Sequence, residues 1–168
     1  MSRPLNTRND AKMKSGKADL VFKDECFAVM GACFAVYKDK GCGFLEPVYH
    51  ECMEIELAHL RIPAVSKPKL SLEYRGQPLS QGYEPDFVCW SKIILELKAV
   101  AALAGEHRAQ VLNYLNATGF QLGLLVNFGH YPLLEWERIA NTHRNVQPSE
   151  TVDLKNFRAV SRVSRAKS

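Results

Sequence analysis

Asp86 and Glu96 stand five residues on either side of Ser91, and Lys98 follows Glu96 by two. A chain that turns at Trp90-Ser91-Lys92 sets Asp86 directly opposite Glu96 across a hairpin. Directly paired strand residues hold their Cβ atoms about 4.5–5.5 Å apart. Side chains two positions apart share a face, so Lys98 joins Glu96 and Glu84 joins Asp86. Phe87, Ile93, Leu95 and Leu97 fall on the other face, a plain core pattern. Neighbouring carboxylates repel, and one is driven toward its protonated form unless a cation lies between them. A hard divalent cation, Mg²⁺ or Mn²⁺, suits such a donor set, because Mg²⁺ is commonly held by one or two carboxylates together with substrate phosphate oxygens. A lysine alongside can orient water or offset charge on a phosphate under attack. The competing reading is a cross-strand salt-bridge network on a wet face, with Lys98 neutralising Glu96. Against it, Ile93-Ile94-Leu95-Glu96-Leu97-Lys98 drops its charges into a hydrophobic strand expected to lie centrally, where charge is costly without a purpose.

Two helices can bring further polar groups to this hairpin. Glu46 and Tyr49, three apart, share a face of a helix expected from about Leu45 to Leu60, with His50 beside them. Glu46 can equally be an acid favoured by the helix N-terminus. Gln110 and Tyr114 are i and i+4 on a helix expected over about Gly105 to Ala117, and read alternatively as a surface pair.

The elements that carry these residues follow from periodicity. Residues 19–38 predict a helix, with Asp19 at its start and an apolar stripe of Val21, Phe22, Phe27, Ala28, Val29, Ala32, Ala35 and Val36. It stops at Gly41-Cys42-Gly43, where glycine permits positive φ. Pro47 suits the first turn of the second helix. Ala64–Val65 and Lys69–Tyr74 read as strands, with Arg75-Gly76-Gln77-Pro78 as a turn. Tyr83–Cys89 and Ile93–Lys98 read as the hairpin strands. In the helix that follows, Ala109, Leu112 and Leu115 are among the apolar positions, and Gly119 ends it. Leu122–Phe128, nearly all apolar, reads as a strand covered on both faces. Ile93–Lys98, the helix and Leu122–Phe128 form a βαβ unit. Tyr131–Ile139 adds a short element. One domain over 18–140 is expected, flanked by loose basic tails at 1–17 and 141–168.

Charge is unevenly placed within a net +4. Residues 1–17 hold five cations against Asp10, and residues 154–168 hold five with no carboxylate, which leaves −5 on residues 18–153. Basic ends can hold nucleic-acid phosphates or simply be solvated tails. The five cysteines include no C-x-x-C pair, so a zinc site is poorly supported. Buried reduced thiols and a cytoplasmic location are expected, and no run is long enough to span a membrane. No phosphate-binding G-x-x-x-x-G-K-[ST], dinucleotide-binding G-x-G-x-x-G or G-x-S-x-G elbow is present. His107, His130 and His143 read as surface residues.

Gly43-Phe44-Leu45-Glu46-Pro47-Val48-Tyr49 reads G-x-x-E-x-x-Y, Pro85-Asp86 and Glu96-Leu97-Lys98 read P-D…E-x-K, and Gln110 to Tyr114 reads Q-x-x-x-Y. In this order the chain resembles the GxxExxY protein family, a branch of the PD-(D/E)XK nuclease superfamily, over roughly residues 20–140. The resemblance implies an α/β, three-layer α/β/α restriction-endonuclease-like core with a mixed central sheet. It implies that Asp86, Glu96 and Glu46 bind Mg²⁺, that Lys98 serves the water or phosphate, and that Gln110 and Tyr114 support the site or the nucleic-acid strand. Tyr37 departs from the family, where a histidine often stands. The expected activity is metal-dependent hydrolysis of phosphodiester bonds, with DNA as the substrate. The competing expectation is a nucleic-acid-binding or protein-interaction module that kept the fold and lost turnover.

Overall fold

The computed structural model of the protein describes residues 21–141, so Asp19, His143 and the basic tails, Asn141 apart, lie outside the described residues. The chain runs α1 (Lys23–Lys40), α2 (Glu46–His59), β1 (Ala64–Ser66), β2 (Leu70–Tyr74), β3 (Gln77–Tyr83), β4 (Phe87–Cys89), β5 (Ile93–Lys98), α3 (Gly105–Thr118), β6 (Leu122–Asn127) and β7 (Glu135–Ala140). Five strands form one sheet in the order β1-β4-β5-β6-β7. Only β5 and β6 pair in parallel, joined through α3; the other neighbours are antiparallel.

Alternation along β5 sorts its side chains to two faces. Ile93, Leu95 and Leu97 pack with α1 and α2 residues such as Val29, Cys33, Met53 and Leu57. Ile94 packs with Val88, Val111, Leu115 and Leu125 beneath α3. Glu96 and Lys98 follow Ile94 on that second face, at the end of the strand. The result is the expected three-layer α/β/α restriction-endonuclease-like core with a mixed sheet.

Several elements differ from the sequence expectation. Tyr83–Cys89 is not one strand: β3 ends at Tyr83, Glu84-Pro85-Asp86 are unpaired, and β4 has three residues. Pro85 has no N–H to donate to a ladder, which breaks the strand there. Glu84 consequently loses its alternation with Asp86 and is exposed. Strand β3 itself was not anticipated, because Gln77–Gly82 lacks alternating hydrophobics. It pairs with β2 in a separate two-stranded sheet and is exposed along most of its length. Its turn narrows to Arg75-Gly76, both at positive φ (52° and 73°), as tight hairpins require.

Helix α1 starts at Lys23, after Phe22 in the left-handed region. Its buried stripe is Cys26, Val29, Met30, Ala32, Cys33 and Val36, rotated from the expected one, and Phe27 is 82% exposed. Cys26 and Cys33 lie in the core cluster that α1 forms with α2 and the sheet. In α3 the inward residues are Val111, Leu115 and Thr118, while Leu112 and Ala109 face outward. All five cysteines are free, and Cys26, Cys33 and Cys89 are buried as expected. No helix among the described residues is long and apolar enough to cross a membrane.

Gly123 on β6 lets α3 approach the sheet closely. A Cβ there would lie 2.3 Å from Val111 Cγ1 and 3.5 Å from Leu115 Cδ1. Gly123→Ala is therefore expected to lower stability by about 1–3 kcal/mol through overpacking. Adding Val111→Ala should recover part of the loss, giving a non-additive double-mutant cycle in urea denaturation. A neutral Gly123→Ala would contradict the close packing.

Candidate active site

The β4–β5 hairpin pairs Phe87 with Leu95, Val88 with Ile94 and Cys89 with Ile93. One further step in this register puts Asp86 opposite Glu96, as the sequence predicts. The turn is made by Trp90 and Ser91, both at positive φ (48° and 57°). Beyond the last paired residue the side chains replace the ladder. Leu97 N donates to Asp86 Oδ2 at 2.8 Å, and Asp86 N lies 3.4 Å from Glu96 Oε2. Asp86 is thus stitched to β5 at the level of the motif.

Glu96 is only 3% exposed. Its Oε1 accepts from Lys98 Nζ at 2.8 Å. Burial, reinforced by the charge of Asp86 and only partly countered by Lys98, pushes its carboxyl up to about 7. For Lys98, burial works against the ammonium, but the hydrogen bond and charge of Glu96 and the charges of Glu46 and Asp86 outweigh it, so its pKa lies above the ordinary lysine range. Lys98 is therefore a firmly held cation rather than a ready base. The salt bridge of the competing reading exists, but in a buried place rather than on a wet face.

Helix α2 brings three residues. Glu46, in its first turn, is half-buried and hydrogen-bonds to no described residue, while its charge acts on Lys98. Tyr49 is fully buried, with its ring stacked on Phe128 at 4.7 Å. Its hydroxyl donates to Gly41 O (2.8 Å) and accepts from Phe44 N (3.2 Å). The G-x-x-E-x-x-Y run thereby acquires a physical reading: the tyrosine fixes the loop from which the helix bearing Glu46 begins. His50 is the residue that sequence reasoning left without a role. It is buried, stacks on Phe87 at 4.5 Å, and donates from Nδ1 to Asp86 Oδ1 at 3.1 Å. Its Nε2 lies 2.9 Å from Ser66 Oγ, which in turn donates to Glu54. The available signal was its i, i+4 spacing to both Glu46 and Glu54; nothing in the sequence marked Ser66.

On the α3 side, Gln110 Nε2 donates to Tyr114 Oη at 2.8 Å, and the Tyr114 ring stacks on Tyr83 at 5.0 Å. Burial raises the Tyr114 phenol; the Gln110 bond lowers it; Glu96 raises it, Lys98 lowers it and Asp86 raises it, with a net upward shift. Both side chains are half-buried, and the charges of Glu96, Lys98 and Asp86 are felt at the Tyr114 phenol. After Lys98 the chain is braced by fully buried Asn127, another residue the sequence reading passed over although it is the one amide in an apolar strand. Asn127 Oδ1 accepts from Val100 N and Gly129 N (3.0 Å each), and Nδ2 donates to Glu135 Oε2 at 2.8 Å. His107 is not a plain surface residue, since its Nδ1 accepts from Ala104 N and closes the start of α3. Tyr37, on α1, donates to His130 O at 2.6 Å.

The hairpin thus joins a buried acid, a second carboxylate and a lysine at the end of the central strand, in the P-D…E-x-K order. A sequence model of the PD-(D/E)XK nuclease superfamily matches residues 23–139, well over half of the chain. The chain belongs to this superfamily. No curated protein matches the sequence. Among solved structures, that of SSO0001 is similar at 19% identity and a TM-score of 0.46, covering 56% of this chain. The chain spans half the length of that protein.

Nucleases of the PD-(D/E)XK superfamily typically act on nucleic acid with a divalent metal such as Mg²⁺. The donor chemistry here fits such an ion: hard carboxylate oxygens, with two acids in a buried place held against one lysine. The oxygens of Asp86 and Glu96 are meanwhile engaged by protein donors. Among the described residues no three His, Cys, Asp or Glu side chains are gathered closely enough to form a metal cage as they stand.

The raised Glu96 carboxyl has a thermodynamic consequence in metal-free buffer. In the unfolded chain it ionises near 4.5, and in the folded protein near 7. The folded state therefore binds the proton more tightly, and this stabilisation is fully present below pH 4.5 and lost as pH rises through about 7. Glu96→Gln is expected to be more stable than wild type at pH 8, on the order of 1–3 kcal/mol, with the gap closing toward pH 4. Thermal denaturation across that range in EDTA checks it. A gap independent of pH would mean that Glu96 does not carry the shift.

Proposed function

We propose that this chain is a cytoplasmic, Mg²⁺-dependent nuclease of the GxxExxY branch that hydrolyses phosphodiester bonds in DNA. The observation that supports it most is Glu96: a buried carboxyl beside Asp86, short of positive charge, at the motif position of a nuclease superfamily. Asp86, Glu96 and Glu46 would hold the metal, with Mn²⁺ able to substitute. When bound, the ion supplies charge neutralisation and lowers the pKa of a coordinated water. Lys98, held protonated, offsets negative charge on the phosphate as the water oxygen attacks phosphorus and the sugar oxygen leaves. Gln110 and Tyr114 support the site from α3, Tyr49 keeps the loop before Glu46 in place, and exposed Glu84 lies on the approach to Asp86. His50 orients the Asp86 carboxylate. Free thiols at all five cysteines suit a reducing compartment.

The second reading, a nucleic-acid-binding module without turnover, draws on the protein donors that already occupy both oxygens of Asp86 and of Glu96.

A paired experiment separates the two: calorimetric titration with Mn²⁺, and cleavage of labelled single- and double-stranded DNA and RNA. Wild type should bind metal and cut only in its presence. Asp86→Ala should weaken metal binding directly, because it removes an oxygen donor. Lys98→Ala should retain metal binding and lose roughly 10²–10³ in rate, the usual size of one transition-state electrostatic contact. Wild type that binds no metal and cuts no substrate would leave the binding module as the function. Lys98→Ala cutting at the wild-type rate would remove the lysine from the chemistry.

A further inference from the structure

The β2–β3 hairpin is absorbed neither by the fold nor by the metal-site chemistry. It stands outside the five-stranded sheet, and β3 packs little of itself against anything. Yet both of its roots are fastened to the candidate site. At one root, Lys67 N donates to Asp86 O at 2.9 Å, and Leu70 is buried. At the other, the Tyr83 ring stacks on Tyr114, and the chain then reaches Asp86 through buried Pro85. Between the roots Gly82 allows the two strands to close up, since a Cβ there would meet Leu70 O at 2.7 Å.

The charge of this arm is opposite to that of its surroundings. Residues 67–83 carry Lys67, Lys69 and Arg75 against Glu73 alone, a net +2. The other described residues hold eight lysines and arginines against thirteen carboxylates, a net −5. Elsewhere, Lys40, Lys92, Lys98 and Arg108 are each held by a carboxylate, while exposed Lys23, Lys38 and Arg61, on or just after α1 and α2, form no ion pair with a described residue. Lys67, Lys69 and Arg75 are exposed and form no ion pair with a described residue. At the tip, Tyr74 is 64% exposed with the Arg75 guanidinium 5.5 Å from its ring centroid.

We propose that the β2–β3 hairpin is a substrate arm that lies along duplex DNA and contacts its phosphates through Lys67 and Lys69 at the root and Arg75 at the tip. Identification of the substrate class rests on the nuclease reading of the site. A polyanion approaching an acidic body needs an unneutralised positive surface next to the reacting group, and this arm is such a surface among the described residues. Length argues for a duplex. From Lys69 to Arg75 the strand spans about 20 Å at some 3.3 Å per residue. That is enough to cross a major groove roughly 12 Å wide, which admits a two-stranded ribbon, and to reach the backbone on either side.

The test uses the full chain and a triple variant, Lys67→Asn, Lys69→Ser and Arg75→Asn. Asparagine is chosen at 67 and 75 because both have positive φ (45° and 52°), which it tolerates. Anisotropy of a short labelled DNA duplex, and of its single strand, is followed from 50 to 200 mM salt, in EDTA and again in Ca²⁺. Cleavage with Mg²⁺ and Mn²⁺ is measured on the same preparations, and circular dichroism confirms that the variant is folded. Three lost phosphate contacts should reduce the duplex salt slope by about 2.7, so that wild-type affinity falls roughly 40-fold more than the variant's across that range. The single strand should be affected less. Equal slopes for both proteins, a larger loss on the single strand, or no duplex binding by wild type would overturn the arm; if wild type still cuts, the nuclease reading survives that result. Arm-dependent binding without cleavage by any preparation would keep the arm and remove the nuclease.

Discussion

The organisation of this protein turns on a carboxylate that is hard to bury. Glu96 occupies the central strand with 3% exposure, and a second acid, Asp86, faces it across the hairpin. In a medium of low polarity such a pair resists ionisation, and the protein answers with one lysine and a set of hydrogen bonds. Much of the surrounding structure can be read as support for that arrangement. Two layers of helices keep water off the strand, Tyr49 fixes the loop that leads into α2, and Asn127 braces the segment just beyond Lys98. On the proposed nuclease reading, the energetic tension left over is what a metal ion and phosphate would relieve.

His50 modifies the usual picture of the motif as a strand-borne device. Asp86 is held from two directions, by the Leu97 amide on β5 and by the imidazole on α2. Its rotamer is therefore set jointly by the hairpin and by the helix that also carries Glu46. The continuation through Ser66 to Glu54 ties the edge strand β1 to the same helix. A shift of α2 relative to the sheet would be felt at Asp86 directly.

What was legible in the sequence follows from which signals are local. The Ser91 turn, the register of Asp86 against Glu96, the helix with Glu46 and Tyr49, and the parallel β5–α3–β6 unit all depend on period and turn chemistry within a short window. The misses have a shared cause. Strand β3 is exposed and pairs only with β2, so it carries no hydrophobic alternation to read. Pro85 separates it from β4, which removed Glu84 from the expected face. The stripe of α1 differs because Phe27 looks like a core residue in sequence, whereas the buried positions are held by Cys26 and Cys33. His50, Ser66 and Asn127 earn their places through partners distant in the chain, which spacing alone does not reveal.

Among the described residues the sheet ends on β1 at one side and β7 at the other. Strand β1 has three residues, and β7 carries Glu135, Glu137 and Arg138, with Arg108 of α3 forked onto Glu137. A long, flat, apolar edge would offer its open backbone groups to a second chain and template aggregation, whereas a short edge or a charged one is a poor template. For a protein whose middle strand β6 is apolar apart from Asn127, such borders guard against edge-to-edge pairing while it folds.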